Sequence, residues 1–143
     1  MFVMTSIGFG ELGRAEILTP EERAQSVVIS DPSQPDMPVI FVSEEFQAHT
    51  GYAPEDVLGR NCRFLQGLHT DPAAVQAIRH ALTSEDEITV DLANYCKDGT
   101  LFWNRLRIRP HFGDDSRVMF YIGAQNPIEA DQVRPVPIEG IEE

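Results

Sequence analysis

The run Gly59-Arg60-Asn61-Cys62-Arg63-Phe64-Leu65-Gln66-Gly67 concentrates more chemistry than any other stretch of this 143-residue chain. Asparagine caps helices well, so Asn61 opens a short helix and Cys62 falls in its first turn. There the helix dipole and the flanking arginines favour a reactive thiol. Gln66, four residues on, faces the same side. Arg63 and the more distant Arg79 form a two-point clamp for a phosphate, because each guanidinium offers paired donors to an oxyanion. The plain alternatives stand beside these readings. A cysteine is more often a small buried hydrophobe, and arginines usually meet acids, which this chain has in excess.

Three amides sit on strand faces that are otherwise apolar. Alternation puts Asn94 with Ile88, Val90, Leu92 and Cys96, and Asn104 with Phe102, Leu106 and Ile108. Gln125 shares its face with Met119, Tyr121 and Gly123, and the glycine leaves room for a close approach. A buried amide left unpaired costs about 1–3 kcal/mol, so a backbone group or a polar ligand must satisfy each one. Amides both donate and accept, which suits a planar ring carrying imide and ring-nitrogen groups. Bonding to loops or strand ends is the other reading. A three-residue turn with Gly99 left-handed sets Asn94 opposite Asn104, whereas a two-residue turn puts them on opposite faces.

The elements that position these residues can be read from period and punctuation. Thr19-Pro20-Glu21-Glu22 is a capping-box start for a short helix in a flanking segment, residues 1–26. Val27–Ser30 and Val39–Val42 are β-branched runs parted by a loop with three prolines, hence a strand hairpin. Ser43 caps a helix through His49 that stops at Gly51, and a single turn follows near Pro54. Asp71-Pro72 begins a longer helix with Val75, Ile78 and Leu82 on one stripe. From Glu87 the period becomes two, giving strands near 88–96, 101–109 and 117–125. These elements predict an α+β domain over 27–126, a five-stranded antiparallel sheet with short helices on one face. Residues 127–143 read as a proline-rich acidic tail or linker.

Composition narrows the function. Eleven basic against twenty-three acidic residues give a formal charge of −12, which disfavours nucleic acid. Only Lys97 among the basic residues is a lysine. No run approaches a membrane span's ~20 apolar residues, and the start lacks a secretory signal, so a cytoplasmic protein with free thiols is expected. His49, His69, His80 and His111 show no metal-ligand spacing, and no residue is placed as a general base, so neither a metal site nor an enzyme is expected. Cys96, beside a turn, reads as packing, and Trp103 faces outward.

The nine residues from Gly59 to Gly67 resemble the flavin-binding signature of the light-oxygen-voltage (LOV) photoreceptor domains, a branch of the PAS superfamily. The resemblance runs from about Val27 to Gln125 and takes in Asn94-Tyr95, Phe102-Trp103-Asn104 and Tyr121-Ile122-Gly123-Ala124-Gln125. It implies a PAS fold, bound FMN and a blue-light-driven, reversible bond from the Cys62 sulfur to the flavin C4a carbon. By the same resemblance Arg63 and Arg79 hold the phosphate, Asn61 and Gln66 contact the ribityl chain and ring edge, and Asn94 and Asn104 meet the imide edge. Leu106 and Tyr121 join the pocket, and Gln125 faces N5 and O4, reorienting its amide when N5 gains a proton. The resemblance also implies signalling through the flanks, by a homodimer or a downstream protein, from a short LOV protein or an excised sensor domain. Met37 stands where many members carry asparagine, and Tyr121 where phenylalanine is usual, so a phenol is set to compete as an electron donor. A PAS ligand-binding or dimerisation module without photochemistry is the alternative, and a thiol or flavin enzyme is disfavoured.

Overall fold

The computed structural model describes residues 17–137. Residues 1–16 and 138–143 lie outside these. Helix α1 (Pro20–Arg23) carries the expected capping box: the Glu22 N–H donates to Thr19 Oγ1 at 3.1 Å, and the Thr19 N–H to Glu22 Oε1 at 2.9 Å. Strands β1 (Ser26–Ser30) and β2 (Val39–Val42) follow, then helices α2 (Glu44–Thr50) and α3 (Pro54–Val57). A single 3-10 turn, Cys62–Leu65, precedes the long helix α4 (Pro72–Ser84). Strands β3 (Ile88–Tyr95), β4 (Leu101–Phe112) and β5 (Val118–Gln125) complete the core.

All pairings are antiparallel, in the order β2-β1-β5-β4-β3, and the short β6 (Pro127–Ile128) adds to β4. The β3–β4 turn has Gly99 left-handed at φ 91°, closed by the Cys96 N–H donating to the Thr100 carbonyl at 2.9 Å. Its register pairs Asn94 with Phe102 and Leu92 with Asn104. The amides are therefore diagonal neighbours on one face, not directly opposite as the three-residue turn was expected to place them. Two residues of slip preserve the face, since the side-chain period is two.

The sheet is covered on both sides around β1, which is why all five of its residues are buried. Val28 packs under the helical side with Val39, Val42, Phe46, Val57 and Leu65. Val27 and Ile29 pack on the outer side with Ile122, Ala124 and Leu18, the last supplied by the N-terminal flank. Burying a leucine in this way is worth about 2 kcal/mol, so the flank is part of the folded core. The segment after Asn126 also packs: Trp103 pairs with Ile128, and the Arg134 N–H donates to Asp91 Oδ2 at 2.8 Å. Among the described residues no helix is long and apolar enough to cross a membrane.

Candidate functional site

A cavity of about 220 Å³ lies between the inner sheet face, the 3-10 turn and α4. Inward alternation brings Asn94 from β3, Leu106 from β4, and Tyr121 and Gln125 from β5 to its wall. The turn brings Asn61, Cys62, Arg63 and Gln66, and α4 brings Arg79. Asn104 is the one expected site residue off the wall. It is fully buried behind Asn94.

An amide relay fixes what the polar end presents. The Asn126 N–H can only donate, and it meets Asn104 Oδ1 at 2.9 Å. Asn104 Nδ2 must then face the other way, and it donates to Asn94 Oδ1 at 2.9 Å. Asn94 is left with its NH2 group, which meets the Ala93 carbonyl at 3.0 Å and keeps a second hydrogen. Gln125 is turned oppositely. Its Nε2 donates to the Gly123 carbonyl over 3.3 Å, while its buried Oε1 has no partner among the described residues. One wall thus offers a donor from Asn94 and an acceptor from Gln125.

Cys62 corrects an expectation. The residue is half-buried, but its thiol is enclosed, and that desolvation pushes the pKa up to about 11. The turn that holds it is four residues long, too short for a dipole to outweigh burial. Asn61 does cap it, accepting from the Arg63 N–H at 2.9 Å, so the sulfur is positioned but stays protonated at neutral pH.

The arginine clamp is only partly free. Arg63 is exposed and its guanidinium pairs with Asp36, while the Asp36 carbonyl accepts from Asn61 Nδ2 at 2.7 Å. Asp36 and Met37 are both left-handed, at φ 64° and 48°, which turns Met37 into the cavity wall. Tyr121 also lines the wall, with its hydroxyl donating to the Leu82 carbonyl at 3.0 Å, and burial raises its pKa. Gly67 closes the motif for a steric reason: a Cβ there would lie 2.4 Å from the Tyr95 ring, whose hydroxyl accepts from the His69 N–H.

The α4 part of the apolar wall is not marked as such in the sequence. Val75, Ile78 and Leu82 read as a core stripe, yet all three are only half-buried because they face the cavity. Their signal was Arg79 beside the stripe. Gly123 has no positive φ, and a Cβ on it would meet only ordinary contacts, the nearest Leu106 Cδ1 at 3.7 Å. The protein itself does not demand glycine there. The lining of sulfur, apolar side chains and amides suits a flat, hydrogen-bonding ring. Among the described residues no cluster of His, Cys, Asp or Glu is fit to hold a metal ion.

The PAS domain family matches residues 24–128. Blue-light-activated histidine kinase 1 of Erythrobacter litoralis (strain HTCC2594) is 45% identical over 107 residues, which is 75% of this chain and 30% of the kinase. A solved light-oxygen-voltage domain, studied through a flavin analogue, superposes with a TM-score of 0.75 at 46% identity over 78% of this chain and 83% of that one. The LOV domain of a blue-light-activated histidine kinase from Erythrobacter litoralis matches at TM-score 0.70 and 40% identity, covering 73% of this chain and 96% of that domain. The chain belongs to the LOV family of PAS domains. The curated kinases extend well beyond the matched region, which is 30% of the first of them.

Proposed function

We propose that this LOV domain is a blue-light sensor that holds FMN in the cavity and reports light through Cys62. The observation that carries the reading is one cavity lined by an enclosed thiol on the turn and, on the sheet wall, the Asn94 donor and a Gln125 acceptor unpaired among the described residues. When bound, FMN supplies blue-light absorption and a ring carbon, C4a, to which the Cys62 sulfur bonds reversibly. Because Cys62 is protonated in the dark, it brings its own proton as well as its sulfur to the site. Asn94, buttressed by Asn104, holds the imide edge. Asn61 and Gln66 meet the ribityl chain and ring edge, and Leu106 and Tyr121 close the faces. Arg79 holds the phosphate, and Arg63 joins it by sharing or leaving Asp36. Gln125 senses the state of the ring edge, since its amide offers oxygen to a donor and nitrogen to an acceptor.

The flanks carry the signal to a downstream protein or a partner copy in a homodimer. Leu18 and Arg134 tie both flanks to the sheet, and matching dark and lit scattering profiles would remove the homodimer reading. The deciding experiment records absorption in the dark, after blue light and during recovery, for wild type and Cys62→Ala. Both proteins should bind FMN, and only wild type should bleach and recover. Bound flavin that never bleaches in wild type rejects the photochemistry, and no binding even after reconstitution rejects the flavin site.

A further inference from the structure

A groove of about 640 Å³ lies between the loop after β1 (Pro32, Ser33), the end of α4 (Thr83) and the β4–β5 hairpin (Arg117, Val118). Met37, Leu82 and Tyr121 line both this groove and the cavity, so a partition one side chain thick separates the two. Tyr121 stands four residues before Gln125 on β5, a span of about 13 Å along a strand, which puts the partition at the end of the cavity away from the Gln125 amide. The sheet thins at the same place. The last β1–β5 pair is Ser30 with Tyr121, and β3 stops pairing with β4 at Ile108. Beyond these positions β4 and β5 pair only with each other, and a two-stranded ribbon is marginally stable by itself.

Among the described residues the partition contains one directional side-chain bond. The Tyr121 hydroxyl donates to the Leu82 carbonyl at 3.0 Å, a helix-end oxygen that also accepts from the Glu85 N–H at 3.2 Å. Burial, with smaller help from Glu85 and Asp86, raises the Tyr121 pKa, so the hydroxyl remains a donor at neutral pH. Met37 and Leu82 offer only apolar contact, and the methionine is free to change rotamer. We infer that the partition is a gate: the hairpin moves about Tyr121, the Tyr121–Leu82 bond holds it shut, and its opening admits small uncharged solutes from the groove to the cavity. The class of solute follows from the wall, which is apolar apart from one hydroxyl, so an ion crossing it would lose its hydration without gaining a partner. Passage to a bound ring rests on the flavin reading, whereas the latch itself does not.

Acrylamide, a small uncharged quencher, tests passage, with Cys62→Ala as the parent because FMN bound without the sulfur stays fluorescent. Free flavin is removed by gel filtration before each measurement. Adding Tyr121→Phe, which keeps the ring and removes the latch, should raise the quenching constant of bound FMN about threefold or more, the worth of one hydrogen bond. Adding Thr83→Trp as a plug in the groove should return it to the parent value, whereas His80→Trp, on the same helix but lining neither space, should not. In the ligand-free protein, Tyr121→Phe should quicken amide exchange at residues 118–121 by about the same factor. A quenching constant unchanged by Tyr121→Phe, or one that stays raised after Thr83→Trp, overturns the gate. If no variant binds FMN, the flavin reading falls and exchange alone decides, unaltered exchange at residues 118–121 overturning the latch.

Discussion

Asp36 holds the Arg63 guanidinium, which the proposed reading assigns to a flavin phosphate. The pair is exposed, with side-chain accessibilities of 59% for Arg63 and 60% for Asp36, so solvent screens it and it contributes little to the fold. Its larger effect is on the ligand, because a fixed carboxylate beside Arg63 both competes with a phosphate and repels it. Asparagine at this position would keep the backbone, since it tolerates the left-handed conformation that Asp36 adopts at φ 64°. Asp36→Asn should therefore raise the affinity ratio of FMN over riboflavin by roughly three- to tenfold at low salt, less at high salt. Titration of both flavins into both proteins measures the ratio, and no change would mean that Arg63 does not reach the phosphate. The sequence named both arginines but not Asp36, because the contact joins residues 27 apart through a left-handed corner that no pattern announces. The enclosure of the Cys62 thiol is illegible for a related reason: helix position is local, whereas enclosure depends on everything folded around it.

At the scale of elements, β6 and the turn after it are held by one buried carboxylate. Asp91 accepts two bonds from Arg105, each 2.9 Å, and one from the Arg134 N–H, while Arg105 Nη2 also donates to the Gln132 carbonyl at 2.8 Å. The Arg105 hydrogen bonds hold the Asp91 carboxyl below its usual range, outweighing desolvation, with further help from Arg134. A carboxyl lowered on folding stabilises the protein above its unfolded pKa, and that contribution disappears as pH falls through the folded value. Wild type should thus lose stability below about pH 4, and Asp91→Asn should lose less over the same range. At neutral pH, Asp91→Ala should cost about 2–3 kcal/mol in urea unfolding, between the values for exposed and buried pairs, and expose residues 127–137 to protease. Unchanged cleavage would mean that strand pairing alone holds the segment. Strand alternation made β3, β4 and β5 legible, together with the face of every inward amide. It could not reveal β6, because Asn126-Pro127 and the acidic residues after it look like a linker, and their anchor lies 43 residues away in Asp91.

Over the whole molecule, a chain of formal charge −12 gathers arginines on the outer face of one strand. Arg105 meets Asp91, Arg107 meets Glu87, and Arg109 meets Glu22 through bonds of 2.8 and 2.7 Å while also donating to the Ile17 carbonyl at 2.7 Å. Burial pushes the Glu22 carboxyl up, but the Arg109 and Thr19 hydrogen bonds outweigh it, and the net shift is downward. Through these pairs the N-terminal flank and the segment after Gln125 dock on the same strand. That strand is also the register partner of β5, which carries Gln125 at its end. Two shared connections join Gln125 to both flanks and would carry a change in its amide: the Asn126 junction, which bonds Asn104, Arg105 and Gln25, and the β4 ladder. If Cys62 reports light as proposed, amide hydrogen exchange should quicken on illumination in residues 17–25 and 127–134, with Cys62→Ala showing no change in either. Quickening in the C-terminal segment alone would break the Gln25–Asn126 route and leave β4 as the only carrier, whereas exchange unaltered in both flanks would confine the response to the cavity and remove the flanks as its output.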